Sequence, residues 1–448
     1  MISIDTLRAD YLGCYGFSWN TSPHIDGLAK GSVLFKNAIA QSPWTLPSHM
    51  SIFTSLYPAV HLARTKENCV LPEGKVTLVQ RLKQEGYYTA AFVDDGWLSH
   101  KYGYSRGFDL YDDQGGRIAR INRKAIEFLD NHFQEQFFLF IHVYDMHGAY
   151  EPPIPYREKF YKGNKNDVNN HSMDFVKAIG YHKYQKFNGV TDINYVKALY
   201  AGALRYVDDQ LGILFTKLKE LNIYDDTLII FLSDHGESLF DHHIYIGHGV
   251  FLYDDEMRIP LIIKWPRSKH PNRVVHRQVE SIDVMPTILD LLELSESKEV
   301  QGKSLARYIT DKEVNKDYQN FGYGESSNTG GTSFVRNNRW KFISHMKINL
   351  DRLIEGLEPS GPINLHKYII DGEQLYDLKR DPLEQDNIIR REPGIARELR
   401  TELMRWEEKN KEIALRMMRD MKDASPERRK PILTEEEREK LKALGYIK

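Results

Sequence analysis

Cysteine is nearly missing from this chain: 448 residues carry only Cys14 and Cys69. So few thiols argue against a disulfide-stabilised secreted scaffold and fit a reducing compartment, so a cytoplasmic location is expected, with both cysteines packed as small apolar side chains. No apolar run approaches the ~18 residues of a membrane span, and the first residues lack the pattern of a signal peptide. Charge of one sign is lacking as well. Lys+Arg 61 against Asp+Glu 63 leave a formal net charge of -2, so no global field recruits nucleic acid or an anionic membrane surface, and any anion affinity must be local. Internal repeats and low-complexity tracts are absent. The start is also short: Met1 to Ile4 is an apolar stub running straight into Asp5, as a strand would read if its first residues had been lost to a misplaced start codon or a truncation. Any upstream targeting segment would then lie outside the sequence.

What is present is a 41% hydrophobic chain, long enough for one large domain with a deep core and a smaller appendage. Short, nearly continuous apolar runs read as buried parallel strands at Thr89 to Val93, Phe137 to Val143 and Thr227 to Leu232. Amphipathic stretches of helical length, Ile118 to Phe133 and Asn194 to Leu221, lie between them. The alternation predicts an α/β fold, a large mixed, mostly parallel sheet sandwiched by helices. Ligands in such sheets collect at the carboxyl ends of strands. That rule picks out Asp5, Asp145 and Asp234, each of which directly follows an apolar run. The polar segment Tyr156 to Asp192 holds no apolar period and reads as a surface excursion, lid-like in position. Beyond about Gln319 the pieces shorten to Thr332–Val335, Trp340–Ser344 and Gln374–Leu378, a small antiparallel sheet. A charged helix over Ile395–Met421 follows, then a tail with a capping box at Thr434 and Glu437. The division expected is a catalytic domain over 1–318 and a smaller α+β domain over 319–448.

Three segments could carry chemistry. In Phe231-Leu-Ser-Asp-His-Gly-Glu237 an apolar strand ends in adjacent Asp234 and His235, two ligand types that suit a divalent metal. Read alone, the pair is equally a capping Asp and a surface His. Asp5 changes the balance, because two strand-end carboxylates in one sheet repel unless a cation or proton neutralises them. In Ser42-Pro-Trp-Thr-Leu-Pro-Ser-His49, Thr45 and Ser48 stand where a helix begins, so backbone N–H groups face an approaching anion. The bland reading is an N-cap; beside a metal, Thr45 becomes a nucleophile. His49, His147 and His248 follow the Thr45 loop, a strand end and a glycine-flanked turn. Each alone is more often a loop or core histidine, while together they make a set of charge-stabilising donors or proton carriers. Asp241-His-His243 reads as a solvated loop.

In order along the chain, these pieces resemble the sulfatase family of the alkaline-phosphatase superfamily. The resemblance is carried by Ile2-Ser-Ile-Asp-Thr-Leu-Arg-Ala-Asp10, Ser22-Pro-His-Ile-Asp26 and the Ser42 to Pro58 segment. It continues through Asp145-Met-His-Gly-Ala-Tyr150, Ser233-Asp-His-Gly-Glu237, Tyr253 to Pro260, Asp283 to Leu289 and Leu375 to Pro382. It implies an α/β sandwich with a smaller carboxyl-terminal domain. It also implies a metal held by Asp5, Asp234 and His235, a nucleophile at Thr45 that touches the same metal, and catalytic contacts from His49, His147 and His248. His49 takes the place of an Arg that commonly follows the nucleophile by four residues.

The departures from the pattern are chemical. Sulfatases proper carry Cys or Ser at the nucleophile position, which is oxidised to formylglycine; threonine cannot become that aldehyde. Thr6 stands where a second acidic ligand is usual, and Gly96-Trp-Leu-Ser-His100 replaces a sulfate-binding Lys and His stretch. Fewer oxygens and one imidazole favour Zn or Mn over Ca or Mg for the single divalent ion expected. The expected activity is metal-dependent hydrolysis of sulfate or phosphate esters through a covalent threonine intermediate, leaning to phosphate and phosphonate esters. The alternatives are transfer of a phospho group to an alcohol acceptor and a non-catalytic anion-binding relative. A small-molecule, glycan or lipid ester is the expected substrate, with no nucleic-acid partner; oligomeric state is left open by the pattern.

Overall fold

A computed structural model describes residues 1–178, 185–242, 246–267, 272–295, 300–310, 321–327, 331–347, 371–420, 431 and 433–443. Its strands are β1 (Ile2–Ile4), β2 (Val33–Ile39), β3 (Tyr88–Val93), β4 (Leu110–Asp112), β5 (Phe137–Val143), β6 (Ile229–Leu232), β7 (Ser238–Leu239), β8 (Ile246–Gly247), β9 (Arg258–Lys264) and β10 (Arg273–Glu280), then β11 (Gly322–Ser326), β12 (Thr332–Arg336), β13 (Trp340–Lys347) and β14 (Asp371–Asp377). Eight of them form one sheet in the order β10-β2-β9-β6-β1-β5-β3-β4. Only β9 runs against its neighbours, β2 and β6; the remaining pairs are parallel. The expected apolar runs are strands β3, β5 and β6, and the expected amphipathic stretches are the helices Arg117–His132 and Ile193–Glu220. Apolar residues cover both faces of the sheet, in two large core clusters, as a sheet sandwiched by helices requires. No helix among the described residues is long and apolar enough to cross a membrane.

Register sets the site. β1 lies between β5 and β6, with Ile4 opposite Val143 and Ser3 opposite Leu232. The residues one or two positions beyond these pairs, Asp5, Tyr144 and Asp234, therefore emerge along one edge of the sheet. Asp145 emerges there too but is drawn aside: its Oδ2 accepts from Ile118 N at 2.7 Å, and it caps the helix Arg117–His132.

Three local readings need correction. Cys69 is buried as expected, but Cys14 is only partly so. The segment 156–192 is a surface excursion only in its first part: residues 156–172 are exposed or half-buried, while Met173, Val176, Phe187 and Val190 are buried in the core cluster that contains β1. These four are too widely spaced to show a period, yet they share that cluster with the helix Ile193–Glu220. Asp241 is not freely solvated either: it pairs with the buried Arg8 guanidinium at 2.6 Å, and His242 stacks on Tyr253 at 3.7 Å between ring centroids. His243 and the expected domain boundary near 318 lie outside the described residues, as does the side chain of Glu437, half of the predicted capping box. Thr434 does precede a helix, Glu435–Ala443.

The smaller sheet is an antiparallel meander, β11-β12-β13-β14. The helix Pro393–Asp420 lays Ala396, Leu399, Leu403 and Trp406 on it at helical spacing. A buried charge cluster joins the two units: Lys341 Nζ lies 2.8 Å from Asp254 Oδ1 and 2.8 Å from Glu384 Oε1, and Arg336 also pairs with Asp254. Removing one member of such a cluster leaves its partners buried and uncompensated. Lys341→Ala should cost about 3 kcal/mol by denaturant unfolding; a loss below about 1 kcal/mol would show that Arg336 alone neutralises the acids.

Candidate active site

The chain leaves β2 through a short loop and turns into the helix Thr45–Thr54, whose residues are all buried. Thr45 is the first helical residue, and the N-cap position is held by Trp44, which makes no side-chain cap. The Thr45 hydroxyl is not used as a cap. Its Oγ1 donates to Asp5 Oδ2 at 3.0 Å and lies 3.5 Å from His235 Nε2. Ser48, one turn along, donates to the Asp234 carbonyl at 2.6 Å and ties the helix start to the end of β6.

Asp5, Asp234 and His235 are fully buried, and their ligand atoms lie within 4.8 Å of one another. His235 Nε2 stands 3.4 Å from Asp234 Oδ2. His235 Nδ1 faces the Gly236 carbonyl at 2.8 Å, an acceptor that requires the proton on Nδ1 and so leaves Nε2 as a ligand. Ligands about 2.1 Å from a tetrahedral ion stand roughly 3.4 Å apart, and three spacings fall around that value: Thr45 to Asp5 at 3.0 Å, Thr45 to His235 at 3.5 Å and His235 to Asp234 at 3.4 Å. Asp5 Oδ1 and Asp234 Oδ2 have no hydrogen-bond partner although both are buried. Buried carboxylate oxygens left unpaired are costly, and a cation satisfies them. Two carboxylates, one imidazole and one hydroxyl fit the divalent ion that the sequence predicted.

Electrostatics agree. Burial, opposed by His235, raises the Asp5 carboxyl to about 7, and burial raises Glu237 to about 8. Without a cation, this cluster cannot hold all its acids ionised. The histidines are driven the other way. Burial lowers His248 to about 4, His49 to about 3 and His147 well below its ordinary value, so all three are neutral near pH 7 in the ion-free protein.

His235, His248 and His147 form a row, with ring centroids 4.6 and 4.8 Å apart. His248 Nδ1 lies 3.3 Å from Glu237 Oε2, and His147 Nδ1 donates to the Gly148 carbonyl at 2.7 Å. The structure thus brings Asp5, Thr45, Asp234, His235, His147 and His248 to one place. His49 lies deeper, behind Asp234, with Nδ1 3.0 Å from the Thr45 carbonyl and Nε2 3.0 Å from Ser3 Oγ.

Three residues were missed from sequence. His142 is fully buried in β5 with Nε2 3.4 Å from Asp5 Oδ2; its signal was a lone polar residue inside the run Phe-Phe-Leu-Phe-Ile-His-Val. Glu237 backs His248. Glu256 shapes the loop that carries His248, accepting from Gly249 N at 2.8 Å and Phe251 N at 3.3 Å. Neither acid has a local pattern that sets it apart from a surface carboxylate.

The sulfatase family profile matches residues 1–294, and a second profile, N-sulphoglucosamine sulphohydrolase, C-terminal, matches residues 242–355. The multifunctional alkaline phosphatase superfamily protein PehA of Trinickia caryophylli is 26% identical over 402 residues, 69% of this chain and 76% of that protein. An ulvan-active sulfatase of Formosa agariphila is 25% identical, over 85% and 73% of the two chains. Among solved structures, the phosphonate monoester hydrolase of Agrobacterium radiobacter superposes with a TM-score of 0.71 at 19% identity, covering 91% of this chain and 95% of that one. The architecture is thus that of a family whose members are metal-dependent ester hydrolases, and the profile spans well over half of the residues. The chain belongs to the sulfatase family.

Proposed function

We propose that this hydrolase acts on phosphate or phosphonate esters in preference to sulfate esters, through a covalent ester on Thr45. The observation that carries the reading is Thr45 itself, at the first residue of a buried helix with its hydroxyl 3.0 Å from Asp5 Oδ2. A sulfated aldehyde hydrate can expel sulfate by elimination, but a threonine ester has no such route. A threonine phosphoester can still be attacked in line by water. The names of the relatives span both chemistries, with sulfatases beside a phosphonate monoester hydrolase, so membership of the family leaves the ester open and the reading rests on Thr45.

Asp5, Thr45, Asp234 and His235 would hold one divalent ion, Zn or Mn by donor type. Bound there, it supplies positive charge that favours the ionised hydroxyl and offsets negative charge building on the transferred group. Thr45 Oγ1 gives up its proton and attacks phosphorus as the bond to the leaving oxygen breaks, that oxygen takes up one proton in exchange and departs as the alcohol, and the helix start presents backbone N–H groups to the phosphoryl oxygens. His147 carries its proton on Nδ1, pointing at the Gly148 carbonyl, so its Nε2 is the basic atom, suited to take a proton from the water that clears the threonine ester. His248 stands beside it, with Nδ1 3.3 Å from Glu237 Oε2.

Thr45→Ala should lower turnover by about 10³-fold or more with the circular dichroism spectrum unchanged, while Thr45→Ser keeps measurable activity; substantial turnover by the alanine variant removes Thr45 from its role. Rates on an aryl sulfate, a phosphate diester and a phosphonate ester should favour the phosphorus substrates, and a clear sulfate preference would overturn the reading.

Metal binding should depend on pH with a definite sign. Ion-free folded protein keeps a proton on Asp5 up to about 7, whereas in the unfolded chain this carboxyl ionises at its ordinary, lower value. Stability of the ion-free protein should therefore fall as pH rises from about 4 toward 7, the window in which only the unfolded chain releases the proton. A binding ion must displace that proton, so apparent affinity should drop about tenfold per pH unit below 7. Calorimetric titration in buffers of different ionisation enthalpy reads the released proton directly; no proton release at pH 6 would contradict the assignment of Asp5 as a ligand.

A further inference from the structure

The two carboxylates of the centre each have a histidine behind them. His49 Nδ1 lies 3.3 Å from Asp234 Oδ2, and His142 Nε2 lies 3.4 Å from Asp5 Oδ2. All four side chains are fully buried, so these contacts are made away from water. The protonation of His49 follows from its neighbours. Its Nδ1 is 3.0 Å from the Thr45 carbonyl, which can only accept, so Nδ1 carries the proton; Nε2 is left to accept from Ser3 Oγ at 3.0 Å. That N–H is directed at the Thr45 carbonyl, and Asp234 Oδ2 lies 3.3 Å from the same nitrogen without a hydrogen bond to it. His49, His142 and Asp234 stand close enough together to hold an ion of their own, but a ring nitrogen that must keep its proton is not a ligand.

His142 completes the picture from the opposite strand. Neither of its nitrogens makes a hydrogen bond, and its ring is packed edge-on against His49 and Tyr144, at 4.8 and 4.9 Å between centroids. A buried imidazole without partners is held by packing alone, with its Nε2 toward the carboxylate that an ion would draw into place.

We infer that His49 and His142 are positioning residues of the metal centre: Ser3, His49 and Asp234 form one chain of contacts, His142 and Asp5 another, and together they fix both ligand carboxylates. The His49 chain also couples the ion to the nucleophile, because the carbonyl that orients His49 belongs to Thr45. Outer partners of this kind set ligand geometry, and their loss weakens metal affinity by about 10–100-fold.

The inference rests on the metal centre proposed above. Zinc affinity would be measured by competition with a chromogenic chelator, and the ion-free proteins compared by thermal melting. His49→Ala and His142→Ala should each bind zinc about 10–100-fold more weakly, and His142→Gln, which keeps a donor, should recover most of the loss. Ser3→Ala removes a small side chain and should weaken binding several-fold with an unchanged ion-free melting curve; it carries the test if the alanine variants do not fold. Variants that bind zinc as tightly as the wild type would overturn the inference. So would two zinc equivalents in the wild type with one lost in His142→Ala, since that makes the histidines ligands. A wild-type protein that binds no divalent ion would instead refute the centre itself.

Discussion

β1 is held between β5 and β6 by parallel ladders, and this pairing forces two carboxylates into one buried space. Asp5 follows the residue that pairs with Val143, and Asp234 follows the end of β6. Both side chains are fully buried, so bulk solvent does not screen them from one another, and their mutual repulsion is the constraint around which the site is arranged. The hydroxyl of Thr45, the imidazole of His235 and the unpaired oxygens Asp5 Oδ1 and Asp234 Oδ2 face the same point. This donor set suits a cation, and without one a proton retained on Asp5 relieves the repulsion.

Burial then sorts the protonation states. Desolvation penalises whichever form is charged, so it raises Asp5 and Glu237 while it lowers His49, His142, His147 and His248. In the ion-free protein these four histidines are consequently neutral donors and acceptors, not cations, and a backbone carbonyl beside Nδ1 sets the tautomer of His49 and of His147. This matters for their chemistry. A neutral imidazole can take a proton from water, whereas an imidazolium would compete with the ion for the anionic substrate. The sequence reading left open whether these histidines act through charge or through proton transfer, and a neutral ring is the form that the second requires.

Much of the frame was legible because it depends on local patterns. The run Phe137 to Val143 is continuous and apolar as only a strand covered on both faces can be, and the helices at 117 and 193 carry their period through several turns. Asp5, Asp234 and His235 were legible for the same reason, as polar residues at the ends of such runs. What stayed hidden depends on partners far away in the chain. His142 sits inside an apolar run, and only the fold reveals that its neighbour is Asp5, 137 residues earlier. Asp145 looked equivalent to Asp5 until the backbone N–H of Ile118 claimed it. Asp241 looked solvated because nothing nearby in sequence predicts that Arg8, on the far side of the chain, reaches it. Residue type marks what a side chain can do; its use follows from the contact that the topology supplies.

The turn after β1 shows how this arrangement is kept rigid. Thr6 adopts a positive φ of 55°, a region that a β-branched residue enters only at a cost of order 1–3 kcal/mol. The surroundings over-determine it. Tyr200, from the long helix, donates to the Thr6 carbonyl at 2.7 Å and accepts from Arg8 N at 2.9 Å, so one phenol bridges both sides of the turn. Ser233 clamps the opposite side: its hydroxyl lies 2.7 Å from the Ile4 carbonyl and accepts from Leu7 N at 3.0 Å. Ser233 immediately precedes Asp234, and Thr6 immediately follows Asp5. The two carboxylates are thus fixed by the same pair of pins, and the separation between their strand ends is set by backbone contacts that exist before any ion or substrate arrives. A site fixed in this way gives up little ordering entropy when it binds, which is the advantage that offsets a strained residue beside a ligand.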